Sequence, residues 1–228
     1  MVTVVCTEKT LFLGTEMEQW CKEKGIEILE NKELYLRNNL IEISTYDLAI
    51  VNTYGKLIKK EIIEALRGRI INVHCAPLPK YRGMYAYNWG IYNGEKEWGV
   101  TVHYVNERFD EGEIIRIKKF PIDQETICVK KLEMESQRIG YELIMEVING
   151  FMNEERPTGI SQKSGGGYYS RADFEQLKII NDSDSVEEIE RKIRACWCPP
   201  YEGAYILKDN KKFFLISSEI LDGLKADR

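Results

Sequence analysis

Only two histidines and six prolines occur among the 228 residues, and the first scarcity already narrows the chemistry. Two imidazoles cannot build a histidine-rich metal centre. Six cysteines are present, at 6, 21, 75, 128, 196 and 198, but none has the two-residue gap of a zinc chelate; Cys196 and Cys198 stand one residue apart. They read as reduced thiols of a cytoplasmic protein, with no metal. No apolar run approaches the ~20 residues of a membrane span. The opening segment MVTVVC has no basic region followed by a long apolar one, so it reads as a strand and not a signal peptide. Basic charge is short too. Lys+Arg total 32 against 37 Asp+Glu, a net −5, which leaves no field to hold a nucleic-acid backbone. Gly14 stands alone after the first strand, so the Gly-x-Gly-x-x-Gly fingerprint of a dinucleotide site is missing.

What is present fits a globular chain, 43% hydrophobic and 30% charged. The length suffices for one domain plus an appendage. Up to about residue 120, short apolar runs alternate with amphipathic stretches, the texture of an α/β fold with a mostly parallel sheet. Strands are expected at 2–6, 25–29, 47–51, 70–74, 98–105 and 113–119. Helices are expected at 14–24, around Leu34, Leu36 and Leu40, at 58–66 and at 85–92. A long helix from Thr126 to Ile148 closes the unit, with Leu132, Ile139, Leu143 and Val147 at helical spacing. Beyond Arg156-Pro157-Thr158-Gly159 the texture changes to a Gly- and Tyr-rich stretch (164–174), an amphipathic helix (186–196), and a hairpin of 204–208 and 212–216 around Asp209-Asn210. Two domains are therefore expected, 1–156 and 157–228. The second is a small α+β subdomain with too little core to fold alone.

Chemistry concentrates in IINVHCAPLPKYRG (70–83). Side chains two apart on a strand share a face, so Asn72 and His74 present a donor and a base to one spot. Ala76-Pro77-Leu78-Pro79 ends the strand, and strand ends are where open α/β sheets place ligands. Asp110, in FDEGEII, again lies where a loop enters a strand. An amide, a base and a carboxylate suit acyl transfer. Asn72 can donate to a developing oxyanion, His74 can polarise the same oxygen or take a proton, and Asp110 favours the protonated imidazole and can carry the proton onward. His103, in VTVHYV, shares a face with Thr101 and Val105 and suits a role supporting the Asp110 loop.

This constellation resembles the 10-formyltetrahydrofolate-dependent formyltransferases. Their pattern of Asn-x-His, Leu-Pro-x-Tyr-Arg-Gly and Asp-x-Gly-x-Ile reads here as Asn72-Val73-His74, Leu78-Pro79-Lys80-Tyr81-Arg82-Gly83 and Asp110-Glu111-Gly112-Glu113-Ile114. Asn88-Trp89, Asn93-Gly94 and Gly99-Val100-Thr101-Val102-His103 lie between, in the places the family leads one to expect. The resemblance covers roughly 45–120, with a fainter echo at 193–205. It implies a Rossmann-like formyltransferase core, catalysis by Asn72, His74 and Asp110, and 10-formyltetrahydrofolate as co-substrate. It also implies pterin-side contacts from Tyr54, Gly55, Lys56, Leu78, Met84, Val105, Asn106 and Glu107. Gly55 allows close backbone approach, although Tyr54-Gly55-Lys56 alone could equally be a turn before the next helix. The chain departs from the family in Cys75-Ala76, where a Pro-Ser is commoner, and at Met84, where tRNA-type relatives carry a polar or basic residue.

Three formyl acceptors fit such an enzyme. Methionyl-tRNA formyltransferases are longer, with a C-terminal β-barrel. The glycinamide ribonucleotide enzymes have a Gly-Ser-Asn phosphate loop, where this chain has Thr7-Glu8-Lys9-Thr10. Sugar N-formyltransferases carry a short C-terminal appendage, and length, charge and the 193–205 echo favour them. The expected substrate is a dTDP- or UDP-linked amino deoxysugar bound for a surface polysaccharide. Lys80, Tyr169, Arg171, Trp197 and Tyr201 are its expected contacts, by stacking on the base or pairing with phosphate. Each of these aromatic residues could instead plug the subdomain against the core. A homodimer through the C-terminal hairpin, with no nucleic-acid or membrane partner, completes the expectation. The alternatives are a short methionyl-tRNA-type or other amine formyltransferase and, from another class, a folate- or nucleotide-binding protein without turnover.

Overall fold

A computed structural model describes residues 4–7, 14–153, 156–163, 165–218 and 220–222. Residues 2–3 of the expected first strand, most of the 7–10 segment and Ser164 lie outside the described residues. The chain divides into two compact units, one reaching to Asn72 with Tyr104–Arg108 added, the other holding Val73–His103 and everything from Phe109 onward. The expected boundary at 156/157 is not a division between them, since both sides of it belong to the second unit.

In the first unit, strand β1 (Val4–Thr7) pairs in parallel with β2 (Glu27–Glu30). Helix α1 (Glu16–Lys24) joins them. Its start is capped by the Thr15 hydroxyl, which accepts the Glu18 N–H, and it ends on Gly25 at φ 65, a left-handed position that glycine takes without strain. The helix expected around Leu34–Leu40 is instead a 3-10 turn (Glu33–Tyr35) and a helix α2 (Arg37–Ile43), with Leu36 extended between them. Asn39 donates its side-chain amide to the Glu33 carbonyl at 2.6 Å, giving that carbonyl a partner outside the helical ladder. Strand β3 (Ala49–Asn52), helix α3 (Lys60–Ala65) and the start of β4 (Ile70–His74) follow. Ile43, Ile58, Ile62, Leu66 and Ile70 form this unit's core.

The end of β4 belongs to the second unit, where the strand order is β4-β6-β7. Strands β6 (Glu97–Tyr104) and β7 (Ile114–Pro121) are antiparallel, an exception within the mostly parallel design. Trp98, Val100 and Val102 of β6 are fully buried. A two-residue strand β5 (Arg82–Gly83) pairs in parallel with β8 (Tyr168–Tyr169), a contact that two residues of alternation cannot announce. Helix α4 (Ala86–Tyr92) precedes β6, and α5 (Val129–Met152) buries Leu132, Ile139, Leu143 and Val147 as the periodicity predicts. An unforeseen helix α6 (Arg171–Leu177) opens on a capping box between Ser170 and Asp173.

Helix α7 (Val186–Cys196) matches its expected range. Ile193 and Cys196 share a core with Phe174, Leu177, Ile180 and Ala204, against which Tyr85, Trp89 and Tyr92 pack. The C-terminal segment therefore folds on α4, which explains why no boundary appears at 156/157. Strands β9 (Tyr205–Lys208) and β10 (Lys211–Phe214) form the expected hairpin, and Asp209 and Asn210 both take positive φ, 49 and 59, as a type I′ turn requires. No helix among the described residues is long and apolar enough to cross a membrane.

Candidate active site

Strand β4 buries Ile71 and Val73 and leaves Asn72 and His74 half-buried, so the pleat turns amide and imidazole to the same face. Strand β6 fixes the turn that follows. Trp98 donates its indole N–H to the Cys75 carbonyl at 3.0 Å. The Thr101 hydroxyl donates to the Ala76 carbonyl at 2.7 Å and accepts the Leu78 N–H at 3.1 Å. Tyr81 closes the turn at φ 59, with its ring buried. Its hydroxyl donates to Glu95 Oε1 at 2.8 Å and accepts from Asn93 at 3.1 Å.

His74 Nε2 lies 2.7 Å from the Tyr81 carbonyl. A carbonyl only accepts, so Nε2 carries the proton and Nδ1 is the basic nitrogen. Nδ1 faces Asp110 Oδ1 at 3.6 Å, and His103 Nε2 stands 3.6 Å from the same oxygen. Oδ2 of Asp110 accepts the Gly83 N–H at 2.8 Å. His74, His103 and Asp110 are thus gathered within the second unit, with Asn72 two residues before His74 on the same strand.

Burial pulls the His74 pKa below its usual value, outweighing the opposing pull of the Asp110 carboxylate and the Tyr81 carbonyl. The expectation that Asp110 favours the charged imidazole has the right sign for that pair, while burial sets the net direction. Burial works to raise the Asp110 pKa, but His103, His74 and the Gly83 N–H together hold it low. The resting arrangement is a neutral imidazole beside a carboxylate. It can accept a proton at Nδ1, and Asp110 stabilises the imidazolium that results.

A family model for formyl transferases matches residues 3–148. The chain belongs to the formyl transferase family. It is 34% identical over 184 residues to a methionyl-tRNA formyltransferase from Thermodesulfovibrio yellowstonii, covering 79% of this chain and 57% of that protein. It spans about half to two thirds of the length of the curated relatives it matches. A sugar N-formyltransferase from Shewanella shares the fold, with a TM-score of 0.74 at 19% identity over 94% of this chain and 95% of that one. WlaRD, a sugar 3N-formyl transferase solved in the presence of dTDP and 5-N-formyl-THF, gives a TM-score of 0.72 at 25% identity over 92% of this chain and 73% of that one.

Six of the expected pterin contacts lie in the first unit. Tyr54 and Val105 pack on the same core cluster. Gly55, Lys56, Asn106 and Glu107 are exposed, and Asn106 accepts the Arg108 N–H. In the second unit Leu78 is buried with its N–H committed to Thr101, while Met84 is 44% exposed.

The substrate set divides. The Tyr169 ring stacks on Trp89 with centroids 4.5 Å apart and on Tyr81 at 5.7 Å, and Lys80 pairs with Glu95 at 3.1 Å. These two are engaged inside the unit. Arg171 and Tyr201 are exposed and Trp197, at the end of α7, is half-buried. The neighbouring Arg194 and Ala195 are structural, since Arg194 donates to the Gln124 carbonyl and the Ala195 carbonyl accepts from Asn88 at 2.7 Å. Among the described residues no group of His, Cys, Asp and Glu could hold a metal ion. Sequence reasoning missed the Tyr81 carbonyl, the Gly83 N–H and Gln162, whose amide bonds the Asp110 loop. Backbone groups leave no mark in a side-chain pattern. The glycine at 83 was the one available signal.

Proposed function

We propose that this formyltransferase transfers the formyl group of 10-formyltetrahydrofolate to the amino group of a dTDP- or UDP-linked amino deoxysugar, in the making of a surface polysaccharide. The observation that carries the reading is the half-buried His74–Asp110 pair, with His74 two residues after an amide. Transfer needs a donor for the oxyanion and an acceptor for the proton the amine loses. Asn72 supplies the neutral N–H; such donors are typically worth ~10²–10³ in turnover. His74 Nδ1 takes the proton the amine loses as it attacks the formyl carbon, and returns it to N10 of the departing tetrahydrofolate as the C–N10 bond breaks, while Asp110 steadies the imidazolium, general-base help of ~10²–10⁴.

The folate supplies the formyl carbon. Open backbone suits its flat pterin, and at Gly55 no atom lies within 4 Å of where a Cβ would stand. The sugar class is supported by WlaRD, which is similar over 92% of this chain. In this reading Trp197 or Tyr201 stacks on the base and Arg171 pairs with phosphate. The exposed hairpin, with Leu207 and Phe213 each 54% exposed, supports a homodimer.

The 34% identity to a methionyl-tRNA formyltransferase supports a second reading, in which the amine is that of methionyl-tRNA. The purified protein should be incubated with 10-formyltetrahydrofolate and, in separate reactions, dTDP- and UDP-linked 3- and 4-amino sugars and methionyl-tRNA. Mass spectrometry then follows the added formyl group. A formylated sugar nucleotide is the expected product. Formylated methionyl-tRNA alone selects the second reading, and folate binding with no formylated product in any reaction selects a binding protein without turnover.

A further inference from the structure

We propose that Gln162 is a positioning residue that holds Asp110 in place by gripping the backbone of its loop. The inference rests on the reading of Asp110 as catalytic. Nε2 of Gln162 donates to the Asp110 carbonyl at 2.7 Å and to the Gly112 carbonyl at 2.8 Å. A carboxamide nitrogen carries two hydrogens, one for each carbonyl. The Oε1 of the same side chain is buried with no hydrogen-bond partner among the described residues. An orphan buried acceptor is unfavourable, so what the position uses is the donor end.

Asp110 needs such a grip. Its φ is 54, in the left-handed region where a side chain is disfavoured, and such conformations persist only where the surroundings over-determine them. Ile160, two residues before Gln162, exchanges backbone hydrogen bonds of 2.8 Å with Ile114 in both directions, which aligns the two segments. On the other side of the loop the Gly83 N–H holds Oδ2, and Arg82 pairs with Glu111 at 2.9 Å. Gln162 thus completes a clamp that leaves Oδ1 turned to His74 and His103. At contacts of 3.6 Å a small shift of the loop changes the coupling, and a misplacement of ~1 Å can cost ~10² in rate.

The test uses the full chain with Gln162→Leu and Gln162→Met; the second keeps the length of the side chain without adding a charge and has no N–H, and stands in if the first does not fold. Both should lower kcat about 10- to 100-fold with KM for donor and acceptor within about 2-fold. In an Asp110→Asn background either change should cost less than about 2-fold, because Gln162 acts through Asp110. The chain has two histidines, so both imidazoles can be followed by NMR titration without any turnover. The His74 midpoint should move in each Gln162 variant in the direction it moves in Asp110→Asn. An unmoved midpoint, an unchanged kcat where Asp110→Asn is impaired, or a full loss repeated on top of Asp110→Asn overturns the proposal. If Asp110→Asn keeps full activity, the catalytic reading of Asp110 fails, and the imidazole titration still decides whether Gln162 sets the carboxylate.

Discussion

The Tyr81 carbonyl lies 2.7 Å from His74 Nε2, and this contact settles which nitrogen of the imidazole can work as a base. With Nε2 donating, the lone pair is on Nδ1, the atom that faces Asp110. Tyr81 reaches this position through a left-handed backbone, φ 59, held by a ring buried against Trp98 with centroids 5.0 Å apart. Tautomer selection at the site is therefore a product of core packing several residues away.

Asn72→Ala, His74→Ala and Asp110→Ala should each lower turnover at least ~10²-fold with folding retained. Residues that act as a unit are not additive, so double changes should cost little more than the worst single one. Steady-state kinetics beside circular dichroism checks this. Near-normal turnover in Asp110→Ala would remove the carboxylate from the mechanism.

The pH dependence follows from the direction of the His74 shift. Its pKa lies below the ordinary 6.5, and the neutral form is the base. Activity should therefore fall on the acid side with a midpoint below 6.5. Asp110→Asn removes the charge that favours the imidazolium, so the limb in that variant's residual activity should move to lower pH. For stability, the unfolded chain binds a His74 proton near its ordinary value while the folded chain resists it. Stability then falls as pH drops from about 6.5 to the lower folded value and levels off below it. The Asp110 contribution is present above about 3.8 and is lost as pH falls through its depressed folded value. Urea unfolding at pH 7.5 and 5.5 should show the lower stability at 5.5, and His74→Gln should flatten that difference. A midpoint above 6.5 would contradict this account.

Much of this was legible in the chain, for definite reasons. Ile70–His74 announces itself because β-branched residues and alternation agree there, and α5 and α7 because their apolar residues recur at helical spacing. Asn72, His74 and Asp110 stand out as chemistry-bearing groups at strand ends. What stayed hidden depends on contacts across long separations in sequence. The β5–β8 pairing joins residues 82–83 to 168–169, and Gln162 reaches Asp110 from what reads as a separate domain. The capping box at Ser170 was a readable start signal for α6, masked by the Gly-rich text before it. Tyr169, expected to stack on a base, stacks on Trp89 and Tyr81, contacts that a tyrosine in the sequence does not announce.

Glycines offer a matched pair of tests. A Cβ at Gly166 would stand 1.6 Å from the Pro79 carbonyl oxygen, a backbone atom that cannot swing aside. Gly166→Ala should destabilise the protein by about 1–3 kcal/mol or more, as overpacking does, read as a lower urea midpoint. Gly55 faces open space, and Gly55→Ala should leave the midpoint nearly unchanged. If Gly55 lies against the pterin, the same change should raise the KM for 10-formyltetrahydrofolate without altering that for the amine. Unchanged KM values would remove Gly55 from the folate site.

The hairpin carries the last prediction. Ile206, Leu207, Phe213 and Phe214 are exposed on its two strands, whereas Tyr205 is buried. Large apolar side chains grouped on one exposed element mark an interaction surface more often than a solvated one. A second copy of this chain is the partner we propose, because the two-stranded sheet is short and β10 pairs with no further strand among the described residues, whereas β9 is already engaged at Tyr205 by Lys178 and Ile180. Sedimentation at micromolar concentration should give a homodimer. Leu207→Asp with Phe213→Asp should give a monomer that keeps the fold, since neither side chain supports the core. The hairpin begins at Tyr205, whose neighbour Ala204 lies in the cluster shared with α7, so loss of the dimer should also weaken nucleotide-sugar binding if Trp197 at the end of α7 contacts the base. A wild-type monomer, or a dimer that survives both aspartates, would exclude the hairpin as the interface.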